Sequence, residues 1–324
     1  MTRRAPAESS APAPASPRGS GAPLRLASGG SPLARARASA AVEALAGAPE
    51  PVPAAIVTIA SGPGPSGAAP AGPDGEPGRV VQQARRALLD RRVDASVHSL
   101  ADERPDPLSA VVLGAVLPRG DPRDALVASR GRRLAALPSG ARVAADSPRG
   151  ASLLRTLRPD LMTAHETGGV DAALRLVAEG RYDAVLTALA GLARLGLAGE
   201  ATQIFDAGEF VPAPGQGAIA IECRAGDDRT LALLAAVDHG PTRTAVAAER
   251  GVLEALGEGD ALRVGAYATV EGELVSLRAM LPDAGGALPL VGDAAGPAAE
   301  AARVGHDLGR QLREAAMRDS AGGR

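Results

Sequence analysis

The chain has 324 residues, of which 45% are hydrophobic but only 1% aromatic, and its formal net charge is -2 at pH 7. This length accommodates two or three domains, whose cores must be built largely from alanine, valine and leucine. The nearly balanced charge argues against a nucleic acid as the partner.

The basic residues and the cysteine narrow the protein class further. The sequence contains no lysine, so its strongly basic side chains are all arginines, which are well suited to binding carboxylates. A single cysteine, Cys223, excludes an internal disulfide, and no Cys/His cluster has the spacing of a zinc site. No apolar stretch is long enough to span a bilayer, and the start of the chain lacks the apolar centre of a signal peptide. We therefore expect a cytoplasmic protein with no membrane partner.

The first third of the chain alternates strand and helix patterns after an aperiodic start. Residues 1–23 are rich in Pro, Ala and Ser, which predicts a disordered tail. Ser31 followed by Pro32 predicts the start of a helix, with serine as the cap. A Pro/Gly-rich stretch at 62–78 predicts a surface loop. Strands are predicted at 24–27, 54–59, 94–100 and 110–117, and helices at 31–47 and 80–89.

A second alternating unit follows, and a different pattern closes the chain. Strands are predicted at 141–145, 162–165 and near 183, with helices at 149–157 and 170–179 and a helical turn at 190–197. An apolar crossing run at 218–221 precedes helices at 230–237 and 243–256, paired strands at 263–270 and 273–280, and a helix at 297–317. This order predicts mostly parallel sheets with helices on both faces, and then a smaller α+β domain.

The most distinctive stretch is Val-Pro-Ala-Pro-Gly-Gln-Gly-Ala at residues 211–218. Its prolines fix φ and its glycines permit close backbone approach, which predicts a crossing between two lobes; a plain interdomain hinge would have a similar composition. The string resembles the porphobilinogen deaminase (hydroxymethylbilane synthase) family, in which it carries the chain from the second domain back to the first. The resemblance extends over nearly everything from Leu24 and makes Gln216 and Gly217 candidate substrate-binding residues.

The resemblance implies the fold and the reaction. The implied fold is α/β, with two periplasmic-binding-protein-like doubly wound lobes, a cleft between them and a small α+β C-terminal domain. The expected limits are 24–117 with 218–235 for lobe 1, 120–212 for lobe 2 and 240–324 for the third domain. The implied enzyme is a monomeric transferase of tetrapyrrole biosynthesis that condenses four porphobilinogen molecules head to tail into hydroxymethylbilane and releases ammonia. Open α/β sheets bind ligands beyond their strand ends, which agrees with a cleft site.

The segment Val-His-Ser-Leu-Ala-Asp at residues 97–102 resembles the family segment that ends in the catalytic aspartate. The resemblance implies that Asp102 stabilises positive charge on the pyrrole and that Ser99 contacts the substrate. Without it, an aspartate just past a strand is usually a turn residue. The lysine that precedes the aspartate in the family is Ala101 here, so one cation is missing.

The segment Ala-Asp-Ser-Pro-Arg-Gly at residues 145–150 resembles the family's Thr-Ser-Ser-Leu-Arg-Arg, a helix start that binds substrate carboxylates. It implies substrate-binding roles for Ser147 and Arg149, although the same residues form an ordinary helix cap. Asp146 introduces a negative charge where ligand carboxylates would lie, and Gly150 replaces the second arginine.

Other family arginines are also replaced. Ser31 remains as a candidate substrate-binding residue, but Gly29, Thr167 and Ala173 stand where the family has arginines. Each missing guanidinium removes a charge-assisted pair worth about 1.5 to 3 kcal/mol. Candidate replacements are Arg35, Arg37 and Arg175, although solvated helix faces explain them equally well.

The family's cofactor is a dipyrromethane primer bound to a cysteine through a thioether, and residues 256–268 resemble the loop that carries this cysteine. The corresponding residue is Asp260, whose carboxylate is a weak nucleophile and would form only a labile ester. Without the resemblance, Asp260 would be interpreted as a turn residue in a glycine-rich loop. Cys223 matches a family cysteine that is ordinarily buried. We therefore expect no covalent dipyrromethane.

Two functions follow from this sequence. The first is a porphobilinogen deaminase that acts on porphobilinogen or a related anionic pyrrole, with activity reduced or lost. The second is a non-catalytic paralogue that binds a different small ligand or a partner in the interlobe cleft. A solute-binding protein is a third and weaker hypothesis, because no export signal is recognisable.

Overall fold

The protein is described by a computed structural model that covers residues 22–59, 79–102, 110–165, 169–257, 263–282 and 288–322. Most of the predicted tail, the predicted loop at 62–78 and Asp260 lie outside these ranges. None of the helices within them combines the length and the apolar character that a membrane crossing requires.

The strands and helices alternate along most of the chain. The strands are β1 Leu24–Ser28, β2 Ala54–Thr58, β3 Ala95–Ser99, β4 Val111–Val116, β5 Asp124–Ala128, β6 Arg142–Ala145, β7 Met162–His165, β8 Ala184–Ala188, β9 Gln203–Ile204, β10 Ile219–Arg224, β11 Gly265–Glu271, β12 Leu274–Leu281 and β13 Leu290–Pro297. The helices are α1 Pro32–Ala46, α2 Arg79–Leu89, α3 Pro148–Leu157, α4 Gly169–Ala178, α5 Leu189–Arg194, α6 Asp228–Ala235, α7 Gly240–Leu256 and α8 Ala301–Gly322.

Lobe 1 is built on a five-stranded sheet with the order β2-β1-β3-β10-β4. Strand β1 pairs in parallel with β2 and β3, whereas β10 returns from the second lobe and runs antiparallel to β3 and β4. Leu45 of α1 and Leu88 of α2 are fully buried in separate apolar clusters on the two sides of this sheet. The sheet is therefore covered by helices on both faces.

Lobe 2 repeats this plan with the order β7-β6-β8-β5-β9. Strand β6 is parallel to β7 and β8, and β5 is antiparallel to β8 and β9. Along β5, Leu126 packs into a cluster with α3, while Ala125 and Val127 pack into another with α4 and α5. This alternation follows from the two-residue period of a strand and again buries both faces of the sheet.

The third sheet is an antiparallel meander, β11-β12-β13, whose apolar residues pack against α7 and α8. The assignment of strands to these three sheets supports the domain limits that we propose from the sequence. The fold is therefore α/β, with two doubly wound lobes and a small α+β domain.

Two predicted helix starts are confirmed by their cap hydrogen bonds. The Ser31 hydroxyl accepts a hydrogen bond from the Ala34 amide at 3.1 Å, and Ser147 accepts one from the Gly150 amide at 3.2 Å. In both cases the next residue is a proline at the first helical position, where its missing N–H has no consequence. Both helices begin at the rim of the space between the lobes.

The structure also corrects the sequence interpretation. In each lobe four of the five strands run in the same direction, as the sequence predicts, but one strand, β10 in lobe 1 and β5 in lobe 2, runs antiparallel to both of its neighbours. Residues 124–128, for which the sequence predicts no strand, form strand β5, and the predicted strand pair near the C-terminus has a third member, β13. The last helix begins at Ala301, because Pro297 still belongs to β13.

One buried carboxylate connects all three parts of the molecule. Glu249 of α7 has no solvent exposure and binds Arg119 through two hydrogen bonds, of 2.5 and 3.2 Å. Its two oxygens also accept the backbone amides of Gly215, in the crossing segment, and Ala268, in β11, at 2.7 and 2.9 Å. Arg119 lies in residues 117–123, the outgoing crossing segment between β4 and β5. This cluster therefore fixes the third domain against both connections between the lobes.

Candidate active site

A cleft of about 550 Å³ lies between the two lobes and receives residues from both. Lobe 1 contributes the start of α1 and the end of β3, and lobe 2 contributes the start of α3 together with α4 and α5. The crossing segment forms part of the wall. Six of the predicted site residues line the cleft: Ser31, Ser99, Asp102, Ser147, Gln216 and Gly217.

Asp102 lies in a short 3-10 turn, Leu100–Asp102, directly after β3. Its carboxylate is 44% exposed and faces Arg37 of α1, with 3.5 Å between Nη1 and Oδ2. This long, partly solvated pair leaves the Asp102 oxygens accessible from the cleft. The geometry therefore provides an accessible carboxylate next to a cation on the lobe 1 side.

Ser147 combines a structural and a cleft-facing position. Its hydroxyl oxygen accepts the cap hydrogen bond of α3, and the residue also lines the cleft. A hydroxyl that accepts in this way keeps its proton for donation. Ser147 can therefore cap α3 and donate a hydrogen bond to a ligand at the same time.

Arg149 lies beneath the cleft and not in its lining. Its side chain is 2% exposed and donates to both oxygens of Asp124 at 2.8 and 3.0 Å, to the Val211 carbonyl at 2.9 Å and to Gln216 Oε1 at 3.2 Å. The guanidinium also lies 5.5 Å from the centre of the Phe210 ring. These contacts engage it in holding the crossing segment on lobe 2, and its contact with a ligand stays a prediction.

Gln216 and Gly217 join the two crossing segments. The Gln216 side chain donates to the Pro122 carbonyl at 2.7 Å, while the Gly217 carbonyl accepts from the Gly120 amide at 3.1 Å and from Arg194 Nη2 at 2.7 Å. Gly217 has a φ of +85°, and a Cβ there would lie 2.7 Å from the Gly120 carbonyl oxygen. A glycine is therefore required where the two segments meet.

Three arginines of the described residues line the cleft: Arg37, Arg175 and Arg194. Arg35, in contrast, is exposed and does not line it. Sequence reasoning missed Arg194, whose only signal is its place at the end of a short helix that follows β8. Burial, together with the charge of Arg37, lowers the pKa of Arg194 to about 10. Its guanidinium is therefore still charged at neutral pH.

Three aspartates of the described residues oppose these cations: Asp102, Asp146 and Asp171. Asp146 accepts a hydrogen bond from the Thr187 hydroxyl at 3.1 Å. Although this residue is accessible from the cleft, surrounding protein removes much of its hydration, and this burial raises the pKa of its carboxyl to about 6. At neutral pH, the described arginines and aspartates of the lining carry equal and opposite formal charge.

The position of Cys223 excludes it from the cleft. This thiol belongs to β10 and is fully buried in the lobe 1 core, where burial raises its pKa to about 11. A thiol in this state is a poor nucleophile.

The architecture is that of a two-lobed α/β protein that binds a small ligand in the cleft between its lobes. The sequence model described as "Porphobilinogen deaminase, dipyromethane cofactor binding domain" matches residues 24–232, which make up most of the chain. The chain belongs to the porphobilinogen deaminase family. At the level of the family, this assigns a transferase of tetrapyrrole biosynthesis with a dipyrromethane cofactor.

Two relatives named porphobilinogen deaminase support this assignment. The porphobilinogen deaminase of Roseiflexus castenholzii is 43% identical over 242 residues, covering 74% of this chain and 79% of that protein. The porphobilinogen deaminase of Sorangium cellulosum is 41% identical over 244 residues, covering 74% and 81%. A solved periplasmic His/Glu/Gln/Arg/opine family-binding protein from Silicibacter pomeroyi, in complex with lysine, aligns with a TM-score of 0.39 and 14% identity, covering 66% of this chain and 88% of that one.

Proposed function

We propose that this protein condenses porphobilinogen head to tail with release of ammonia, as a porphobilinogen deaminase, but with low turnover. The observation that carries this proposal is the accessible carboxylate of Asp102, which lines the interlobe cleft on the lobe 1 side. In the reaction, the C–N bond of the aminomethyl group breaks and ammonia takes the electron pair. The α-carbon of a second pyrrole then attacks the resulting azafulvene and loses its proton.

Asp102 is the residue that we assign to this chemistry. Its carboxylate accepts the pyrrole N–H and stabilises the positive charge that develops on the ring as ammonia departs. Ser99, Ser147 and the crossing segment orient the substrate within hydrogen-bonding distance. Closure of the two lobes around the ring would exclude water, which strengthens these interactions.

The charge of the cleft is the reason for expecting low turnover. Porphobilinogen carries acetate and propionate arms, and a growing chain adds two carboxylates with each ring. The described lining offers as many aspartates as arginines, so each added ring lacks compensating cations. A missing charge-assisted pair costs about 1.5 to 3 kcal/mol, and several together weaken binding by orders of magnitude.

A thioether-linked dipyrromethane does not fit the donors of this chain. Asp260 supplies a carboxylate at the attachment position, and the thiol of Cys223 is buried in the core and kept protonated. A dipyrromethane bound here would be held without a covalent bond. We therefore assign no step of the reaction to a tethered primer.

The test combines mass spectrometry with turnover. We expect the intact mass of the purified protein to match the sequence alone, before and after incubation with porphobilinogen. Slow porphobilinogen consumption with matching ammonia release should fall at least tenfold in Asp102→Asn, because the neutral amide stabilises positive charge poorly. Asp90→Asn makes the same change on an exposed residue outside the cleft and should leave the rate unchanged. A covalently added dipyrromethane, or a rate indifferent to Asp102→Asn, would contradict the proposal.

The balanced charge of the cleft also favours a second candidate function, that of a non-catalytic paralogue. In this case porphobilinogen or another small molecule binds between the lobes without being consumed. Binding measured by calorimetry with no ammonia release over hours would select this candidate over the first.

A further inference from the structure

Asp146 gives the cleft a property that the family motif does not have. It lies between β6 and α3, at a position where the resembling family segment carries a serine, and it lines the cleft from the lobe 2 side. Asp102 lines the same cleft from lobe 1, and its charge reaches Asp146. Two carboxylates from opposite lobes therefore face one ligand space.

Within the part of the chain that the structure describes, the groups around Asp146 come from four elements. The Thr187 hydroxyl of β8 donates to it, and the buried pair of Asp124 from β5 and Arg149 from α3 lies below it. Across the cleft is Asp102. Burial and the negative charges of Asp124 and Asp102 raise the pKa of Asp146. The positive charge of Arg149 lowers this pKa, but by less than the other effects raise it. The charge of Asp146 at neutral pH is therefore costly, and a ligand cation next to the carboxylate would relieve that cost.

The arginines of the cleft stand on other elements. Arg37 belongs to α1, Arg175 to α4 and Arg194 to α5, so their guanidinium groups surround the cleft from both lobes. A ligand that matches such a lining carries both signs of charge. Carboxylate arms would meet the arginines, and an ammonium would meet the aspartates.

We propose that Asp146 is a specificity-determining residue that binds the ammonium group of the ligand, so that the cleft selects aminomethyl pyrroles over equally carboxylated pyrroles without an amine. This inference rests on the proposed function, since porphobilinogen itself carries such an aminomethyl group. It assigns Asp146 to ligand selection, separately from the role of Asp102.

The test compares two ligands by calorimetry at low temperature, where turnover is slow. One is porphobilinogen, and the other is the same diacid with a methyl group in place of the aminomethyl group. At pH 7.5, we expect the wild type to prefer the amine by about tenfold or more, as one charge-assisted hydrogen bond implies. Asp146→Asn, which keeps the shape, and Asp146→Ser, which restores the family residue, should reduce this preference to about twofold or less. Asp90→Asn should keep it.

The pH dependence provides a second readout. Near pH 5, Asp146 is largely protonated and the preference of the wild type should fall towards that of Asp146→Asn, while the variant itself stays nearly constant. Equal affinities of the wild type for both ligands at pH 7.5, or an unchanged preference in Asp146→Asn, would overturn this inference and leave the proposed function intact. If neither ligand binds to any of the folded proteins, the proposed function fails and this inference fails with it.

Discussion

Removing the buried carboxylate of Glu249 is expected to loosen the junction of the three domains. In Glu249→Ala, the Arg119 guanidinium, whose side chain is only 11% exposed, loses its partner, and the amides of Gly215 and Ala268 lose their acceptor. An uncompensated buried charge of this kind costs about 3 to 5 kcal/mol. A protein of this size has a total stability of about 5 to 15 kcal/mol, so the loss is a large fraction of it.

Urea unfolding measures this loss directly, with Glu254→Ala as the matched control. Glu254 lies on the same helix but is exposed, and its removal should change the free energy of unfolding by about 0.5 kcal/mol or less. Glu249→Gln keeps the shape and should cost less than Glu249→Ala. In the double variant with Arg119→Ala, the free energy of unfolding should fall by far less than the sum of the two single losses. Each single change leaves the other residue buried without its partner, whereas the double change removes both. A Glu249→Ala variant within about 1 kcal/mol of the Glu254→Ala control would refute the reasoning.

Three further predictions concern single positions. Gly217→Ala should lower stability by about 2 kcal/mol or more, because its Cβ would collide with the Gly120 carbonyl; Gly226→Ala, where φ is also positive but the space is open, should cost only about 1 kcal/mol in urea unfolding. The folded pKa of Asp146 lies above that of an unfolded aspartate, so its ionisation reduces stability as pH rises from about 4 to 6. Asp146→Asn should therefore match the wild-type melting temperature at pH 4 and exceed it above pH 6, and a constant difference across this range would contradict the shift. Cys223 should react with an aromatic disulfide reagent about 100-fold more slowly in the native protein than in urea, and equal rates would show that the thiol is accessible.

Local signals predicted most of the secondary structure. Ser31 and Ser147 are each followed by proline, a local pattern that favours a helix start. Strand β5 was missed because Asp124–Ala128 follows a Pro-rich turn closely and is stabilised by its neighbours in the sheet. Strand β13 contains two glycines, an aspartate and a terminal proline, so its strand character depends on pairing with β12 and not on its own composition.

The residues of the candidate site were only partly predictable, because the positions of some of them depend on tertiary contacts. A motif identifies Asp102 and Ser99 because they lie at the end of a strand, where the topology places the cleft. Arg149 lies in a matching motif, yet its guanidinium is engaged by Asp124, a residue 25 positions away that no local pattern connects to it. Arg194 was missed because its role depends on how α5 meets the crossing segment, which is a tertiary contact.

The contact between Gly120 and Gly217 has a mechanical consequence. The outgoing and returning chain segments are bound to each other by the hydrogen bond between these residues and by the one from Gln216 to Pro122. The two segments therefore form one paired connection between the lobes and not two independent linkers. A residue inserted in either segment would therefore disturb its partner as well, and we expect it to change the relative orientation of the lobes.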